Sequence, residues 1–439
     1  MIDRTHGPPS FQFRVDSRNA PQGPLAEPSA DSNAGRGGRA GRGGGPTRLG
    51  PTKEEMDAWV AATKDKVSGK IVLVGKQTVI PVSFDAPLKR RPDDLVKAIY
   101  DPERGDGGRG GFGGLGRGGP QDPNRLTAAQ VSDRIDTMLL EAGAIARVND
   151  AARPDGIIVA QQNHFYDVTK CVPTVIVRND DYGRIERLMA DGDDVKLELD
   201  IANHTYPEGR TRCNVVAEIP GADKAGEVVM LGGHLDSWHS ATGATDNGIG
   251  SSMMLEAVRL IETLGLKPRR TIRLALWSGE EEGLLGSLAY VKQHFGTAED
   301  PKPEWFKLDC YFNVDSGIGR LRGGVFGPKE AAAVLRPLFS QFDDWGLFGA
   351  VSTASRQTGG TDSTSFNNAG LPGIAMSQDP IEYGSLTHHT NLDTYERIIP
   401  DDVKKASAEI AAAVWYVANR GEMIPRFSKN QMPAPVAPR

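Results

Sequence analysis

The sequence predicts an α/β protein whose larger part has a central, mostly parallel or mixed sheet flanked by helices, joined to a small β-rich domain. From about residue 206, strand-like runs alternate with helical runs, which is typical of an open α/β sheet. Before that point, short strand-like runs lie between Gly-rich segments. The chain has 439 residues, of which 38% are hydrophobic, so it is long and apolar enough for a large core.

The N-terminal part divides into two predicted segments. Residues 1–65 are rich in Gly, Pro, Ser and Arg, and we expect them to be largely disordered. Residues 66–205 are predicted to form the β-rich domain, with a Gly-rich insertion at 101–123 and one helix over 128–142. Its strand-like runs are Lys70–Val74, Gly156–Ala160, Pro173–Val177 and Val195–Ile201. Since it contains no cluster of His, Cys and carboxylates, we assign it no chemistry.

Residues 206–425 carry the alternating pattern, and residues 426–439 read as a tail. The predicted elements, in chain order, are a strand at Glu227–Gly233, a helix at Gly248–Leu264, a strand at Thr271–Trp277, a helix at Gly283–Phe295 and a strand at Cys310–Val314.

Composition narrows the classes of partner. The net charge is −6, and the Arg-Gly-Gly runs are read as flexible segments, so we predict no nucleic-acid partner. No apolar run reaches the ~18–20 residues of a transmembrane helix, so no membrane partner is predicted. Cys171, Cys213 and Cys310 lack C-x-x-C spacing, which argues against a structural zinc knuckle or a disulfide scaffold and leaves a single bridge open. A homodimer is also left open.

Polar residues collect where the predicted strands end, which is where ligands bind in open α/β sheets. Imidazole and carboxylate without thiolate suit catalytic zinc, or manganese or cobalt. Two metals ~3.5–4 Å apart need one bridging carboxylate and two further protein ligands on each ion. Each residue alone would be ordinary, but their joint placement favours a metal site. The candidates are His234, Asp236, Asp246, Glu280, Glu281, Glu282, Asp315, His388, His389 and Asp393.

Four motifs make a family resemblance specific. They are Gly232-Gly-His-Leu-Asp-Ser, Gly243-Ala-Thr-Asp-Asn-Gly, Gly279-Glu-Glu-Glu-Gly-Leu-Leu-Gly-Ser and His389-Thr-Asn-Leu-Asp-Thr. They resemble the motifs of the co-catalytic zinc aminopeptidase family, and in particular its plasma glutamate carboxypeptidase branch, over roughly residues 66–425. The resemblance implies a metallopeptidase domain over 206–425, a protease-associated domain over 66–205 and two Zn²⁺ per chain.

The resemblance also implies roles for single residues. His234 and Asp315 would bind one zinc, Glu281 and His389 the other, and Asp246 would bridge them, with a cis peptide bond to Asn247. Glu280 would be the general base that takes a proton from the metal-activated water. The following Gly283-Leu-Leu-Gly-Ser fixes this register among the three consecutive glutamates.

Further residues are predicted around the ligands. Asp236 would hydrogen-bond the second nitrogen of His234, Asp393 would also support the site, and Tyr383 could donate to the oxyanion. Asp362 or Asp393 could hold a substrate ammonium, and His388 is a further substrate-binding candidate. Arg356 could clamp an α-carboxylate instead. We expect a short peptide substrate with a free N-terminus.

Two other functions stay open on the same scaffold: a glutaminyl-cyclase-like transferase with a single zinc, and a receptor-like relative with a degraded metal site. The complete set of ligands argues against the second. The resemblance implies export to the periplasm or the cell exterior, although the first residues lack the apolar stretch of a signal peptide. Two explanations stay open: the chain is a fragment of a longer protein, or its start is misassigned.

Overall fold

A computed structural model describes residues 12–14, 50–82, 84, 90–102, 124–159, 168–204, 206, 213–238, 241–356 and 360–435. Its strands are β1 Gln12–Arg14, β2 Ile71–Leu73, β3 Ala146–Asp150, β4 Thr174–Val177, β5 Val215–Ile219, β6 Lys224–His234, β7 Arg270–Trp277, β8 Leu308–Val314, β9 Leu321–Phe326, β10 Ala350–Ser352 and β11 Gly373–Gln378. Its helices are α1 Lys53–Thr63, α2 Asp93–Ile99, α3 Ala128–Glu141, α4 Asn179–Asp191, α5 Ile249–Thr263, α6 Leu285–His294, α7 Lys329–Phe339, α8 Ser363–Asn368 and α9 Pro400–Asn419.

The chain divides into two compact units. Of the described residues, those within 12–14, 50–84 and 124–206 form the first unit, and those within 90–102 and 213–435 form the second. The boundary near 209 lies close to the predicted one at 205. The segment around α2, which we had placed in the β-rich domain, packs instead with the second unit.

The first unit has an α/β architecture. Strands β1 to β4 lie side by side in chain order, all parallel, and the unit also contains α1, α3 and α4. The prediction of a mostly β domain is therefore wrong. The segment Val195–Ile201 has no regular secondary structure and joins no described strand; instead Leu197 and Leu199 pack against an apolar cluster of this unit. Resemblance to a protease-associated domain stays a prediction.

Part of the segment predicted to be disordered is helical. Helix α1 begins at a capping box in which Thr52 and Glu55 satisfy each other's backbone N–H groups. Met56 and Trp59, three residues apart, are buried in the unit's core. Burial of these two large apolar side chains offsets the entropy cost of ordering the helix. The low-complexity sequence before them has few such side chains. Most of that stretch, all of 103–123 and Ala160 lie outside the described residues.

The second unit contains a seven-stranded mixed sheet in the order β10-β9-β11-β8-β6-β7-β5. The central strands β11, β8, β6 and β7 are parallel, β5 pairs antiparallel with β7, and β9 pairs antiparallel with β11. The predicted fold class is confirmed for this unit, as are the strands and helices expected between residues 227 and 314.

Helices cover both faces of this sheet. Residues of α5, α7 and α9 pack on one face with the apolar side chains of the central strands. On the other face, α6 and α8 pack Tyr290 and Phe366 against Trp277 and Tyr311. Burying each such side chain stabilises the folded state by roughly 1.5–3 kcal/mol. The packed core therefore holds the ends of the strands in place. Among the described helices, none is long and apolar enough to cross a membrane.

Candidate metal centre

The carboxyl ends of three neighbouring parallel strands place most of the predicted ligands together. Strand β6 lies between β7 and β8, with His234 opposite Trp277 and Gly232 opposite Asn313. His234 is the last residue of β6, Glu280 and Glu281 follow β7, and Asp315 follows β8 directly. The expectation that these side chains meet at one edge of the sheet is confirmed.

Asp246 lies in the loop that leads into α5, and its backbone is tightly held. The Asp393 carboxylate accepts hydrogen bonds from the backbone N–H groups of Thr245 (2.6 Å) and Asp246 (3.0 Å). The Asn247 side chain donates to the carbonyl of Val314 at 2.8 Å, which ties the loop to the end of β8. The peptide bond between Asp246 and Asn247 is cis, as predicted. Asp393 therefore holds the backbone of the loop that carries Asp246, and its role in supporting a metal site stays a prediction.

The loop after β11 supplies Tyr383 and His389. Glu382 and His389 both have left-handed backbone conformations, with φ of 58° and 61°. Such conformations are uncommon for residues other than glycine and collect at functional sites. The Tyr383 hydroxyl lies 3.4 Å from Asp315 Oδ1, so it reaches the metal-ligand cluster.

The candidate ligand atoms form two groups that share Asp246. His234 Nε2 lies 3.4 Å from Asp246 Oδ1 and 3.5 Å from Asp315 Oδ2. His389 Nε2 lies 3.3 Å from Asp246 Oδ2 and 3.1 Å from Glu281 Oε2. Around a tetrahedral zinc with bonds of about 2.0–2.1 Å, two ligand atoms are ~3.3–3.4 Å apart. Both groups therefore match the spacing that zinc requires.

Unpaired buried atoms also fit a metal site. His234 Nε2 and Asp246 Oδ2 are buried, yet neither makes a hydrogen bond of normal geometry within the described part of the chain. Leaving such atoms unpaired is costly unless they bind something. The donor set of imidazole and carboxylate suits zinc, so the residues present fit the implied metal ions.

The electrostatics of the metal-free cluster show an excess of negative charge. Burial raises the pKa of Glu281 to about 7, and burial also raises the pKa of Glu280 well above its usual range, with help from the nearby carboxylates of Asp315 and Asp362. Burial alone would lower the pKa of His389, but Asp246 and Glu281 outweigh it and raise that pKa to about 9. A cation here would offset the repulsion among the carboxylates.

Asp236 does not contact His234 in the predicted way. The Nδ1 atom of His234 hydrogen-bonds the backbone carbonyl of Asp236 at 2.9 Å, whereas the carboxylate oxygen Oδ1 is 3.7 Å away. The other carboxylate oxygen accepts the Glu281 N–H at 3.1 Å. The carboxylate of Asp236 thus orients the neighbouring ligand loop, while its main chain fixes the histidine tautomer.

The structure contradicts the predicted substrate-binding roles of three residues. Arg356 is only 3% exposed and donates to Glu299 at 2.6 Å and to the carbonyl of Asn368, so it is closed to a substrate carboxylate. Asp362 is fully buried, and burial raises its pKa to about 7. Neither side chain has surface that a peptide could reach. The predicted use of Asp393 for a substrate ammonium is likewise wrong, because both its oxygens accept backbone N–H groups.

His388 lies beside the ligands and is partly exposed. Its ring stacks on His389 with centroids 3.6 Å apart, and its Nε2 is 3.9 Å from Asp246 Oδ2. Its imidazole is thus close enough to serve as an alternative ligand, and its role in substrate binding stays a prediction.

Sequence reasoning missed Trp238. Its indole N–H donates to Glu281 Oε2 at 2.8 Å, and its ring lies 5.2 Å from that of His389. A tryptophan four residues after a ligand, in a loop beyond the strand, was the available signal.

Comparison with known proteins places this site in a family. Residues 214–414 match the profile described as Peptidase family M28, and this stretch contains every candidate ligand. This stretch is therefore similar to peptidase family M28. Two curated proteins are also similar to the chain: carboxypeptidase Q of Rattus norvegicus is 32% identical over 263 residues, 60% of this chain and 53% of the relative. Leupeptin-inactivating enzyme 1 of Streptomyces exfoliatus is 29% identical, over 51% of this chain and 54% of the relative.

The matched region spans about half the length of these curated relatives. Solved structures support the M28 fold. A peptidase M28 precursor from Shewanella amazonensis superposes with a TM-score of 0.58 at 23% identity, covering 86% of this chain and 74% of that one. A zinc aminopeptidase from Bacillus subtilis gives 0.51 at 18% identity, covering 82% and 73%.

Proposed function

We propose that this chain is a metallo-exopeptidase of the aminopeptidase or dipeptidase type that uses two zinc ions to cleave short peptides. The observation that carries the proposal is the placement of Asp246, whose two oxygens face two separate histidine–carboxylate pairs. Zinc is proposed because the donors are imidazole and carboxylate. The Bacillus subtilis protein of similar fold is described as a zinc aminopeptidase, which agrees with this choice.

Bound at these two groups, zinc would lower the pKa of a water molecule and polarise the scissile carbonyl. Glu280 shares a cluster with His234 and Glu281 in which the ligand atoms all lie within 4.8 Å of one another. From there its carboxylate can take a proton from the attacking water and return it to the leaving amine. The Tyr383 hydroxyl, next to Asp315, can donate a hydrogen bond to the developing oxyanion.

We propose that the substrate presents a free amino end. The carboxylates of the site attract the positively charged α-ammonium group of a substrate and repel its α-carboxylate. The arginine that could have clamped an α-carboxylate, Arg356, is already paired with Glu299. The partly exposed His388 would then contact the peptide close to the metal ions.

The test compares kcat/KM of the zinc-loaded full chain for an unblocked dipeptide and for its N-acetyl form. The free dipeptide should be cleaved far faster. Equal rates, or faster cleavage of the blocked form, would contradict the proposed polarity, and no cleavage of either would contradict a peptidase of this type. A parallel Glu280→Gln preparation controls for a contaminating peptidase.

We also propose export to the periplasm or the cell exterior. Support comes from the family resemblance and from the Shewanella amazonensis relative, which is described as a precursor. Fractionation of the source cells should place the protein outside the cytoplasm, and recovery in the cytosolic fraction alone would contradict export.

A further inference from the structure

We infer that Trp238 is a positioning residue for one of the two proposed metal ions, the one at Glu281 and His389; the inference rests on the proposed two-zinc function. Its indole N–H donates to Glu281 Oε2 at 2.8 Å. The same oxygen lies 3.1 Å from His389 Nε2, the spacing of two atoms that share a metal ion. The hydrogen bond therefore reaches the oxygen that would bind the metal.

Trp238 also contacts the second ligand of that ion. Its ring and that of His389 have centroids 5.2 Å apart, with planes inclined by 47°. The other ion's ligands are held by different groups. His234 is held by the Asp236 carbonyl, and Asp315 lies against the Tyr383 hydroxyl. Loss of Trp238 should therefore affect the two ions unequally.

The chemistry of indole suits this task. A carboxylate on a flexible stem can rotate between several metal-binding modes, and a hydrogen bond to the ligating oxygen limits that rotation. The indole N–H only donates, so it cannot compete for the metal and does not titrate. A histidine or lysine in its place could ligate the ion or change charge.

The position of Trp238 in the chain links the two metal ions. It follows His234 by four residues in the loop after β6. The end of β6 thus carries a ligand of the first ion, and the loop that follows it carries a support for a ligand of the second. Trp238 follows β6 and Glu281 follows β7. Because these two strands pair in parallel, the two residues lie close together although they are distant in sequence.

The experiment is a zinc titration of the metal-free full chain in competition with a chelator of known affinity. Trp238→Phe keeps an aromatic ring but removes the N–H. One of the two binding steps should weaken by ~10–100-fold, the usual effect of losing such a support, and the other step should keep its Kd. Trp305→Phe is the matched control, because the Trp305 indole donates to the carbonyl of Ala369 away from the site; both its steps should match the wild type.

Unchanged affinities in Trp238→Phe, or equal weakening of both steps, would overturn the inference. If Trp238→Phe does not fold, an NMR measurement on the wild-type protein tests the inference instead. The indole N–H resonance of Trp238, resolved among the six tryptophans by ¹⁵N labelling, should shift with only one of the two zinc equivalents. No shift with either equivalent would overturn the inference. A wild-type protein that binds fewer than two zinc ions would instead contradict the proposed function.

Discussion

Asp246 directs its two carboxylate oxygens at two different histidines, Oδ1 at His234 Nε2 over 3.4 Å and Oδ2 at His389 Nε2 over 3.3 Å. The first histidine ends a central strand, and the second lies in the loop after β11. Burial alone would raise the pKa of Asp246, but the two histidines outweigh it and hold that pKa well below its usual range. A carboxylate kept ionised between two ligand pairs is what a bridging ligand requires.

Replacing Glu280 by glutamine keeps the side-chain shape but removes the proton acceptor. Peptide hydrolysis should fall by at least ~10²–10⁴-fold, the usual contribution of a general base, while zinc content stays unchanged. Steady-state kinetics together with elemental analysis measure both quantities.

The neighbouring glutamates are matched controls for Glu280. Glu281→Gln should lose zinc, whereas Glu282→Gln, at an exposed position, should keep both zinc and activity. Loss of zinc in Glu280→Gln with retention in Glu281→Gln would show that these two residues have the opposite roles.

Tyr383→Phe tests the oxyanion donor. Tyr383 is partly buried and its hydroxyl lies beside Asp315, and removal of that hydroxyl should lower kcat by ~10²–10³-fold with KM and zinc content nearly unchanged. Tyr395→Phe, at an exposed tyrosine in the same part of the chain, should behave like the wild type. An unchanged kcat in Tyr383→Phe would mean that this tyrosine only packs.

Glu409 on α9 should make the second unit less stable as the pH rises. Its side chain is buried, Oε1 has no hydrogen-bond partner in the described part of the chain, and Asp402, Lys405, Arg320 and Arg322 are the charged groups around it. Burial raises its pKa to about 8, from 4.5 for an unperturbed glutamate. The folded form therefore favours the protonated acid, and the stability it contributes is lost as the pH rises from about 4.5 through about 8.

Glu409→Gln removes this charge without changing the side-chain volume. At pH ~8.5 the variant should be more stable than the wild type by on the order of 3 kcal/mol, and by much less at pH ~5.5. Thermal unfolding of both proteins at the two pH values measures the change, which corresponds to a Tm difference of on the order of 5–10 °C at the higher pH. A Tm difference that is the same at both pH values would contradict the assignment.

The sequence was most informative where apolar strands end in polar residues. His234, Glu281 and Asp315 each follow a run of buried side chains, so the periodicity of those runs located them at one edge of the sheet. The roles within the three-glutamate run came from family resemblance, because periodicity does not distinguish adjacent residues.

The orientation of side chains and the partners of side chains and strands could not be predicted from the sequence. Arg356 looked available in the sequence because its partner Glu299 is distant along the chain and only the fold brings them together. Asp236 was expected to use its carboxylate, yet its main-chain carbonyl reaches His234 first. In the first unit, short apolar runs such as 195–201 predicted strands, but a strand also needs a partner for its backbone, which a single sequence does not reveal.

The number of zinc ions bound per chain tests the central claim most directly. Metal-free wild-type protein is saturated with zinc, freed of excess by gel filtration and analysed for metal and protein content. The placement of Asp246 between two ligand pairs predicts two zinc ions per chain, and Asp246→Ala should not retain both. A wild-type chain that holds one zinc at saturation would contradict the two-metal site and would favour the glutaminyl-cyclase-like alternative.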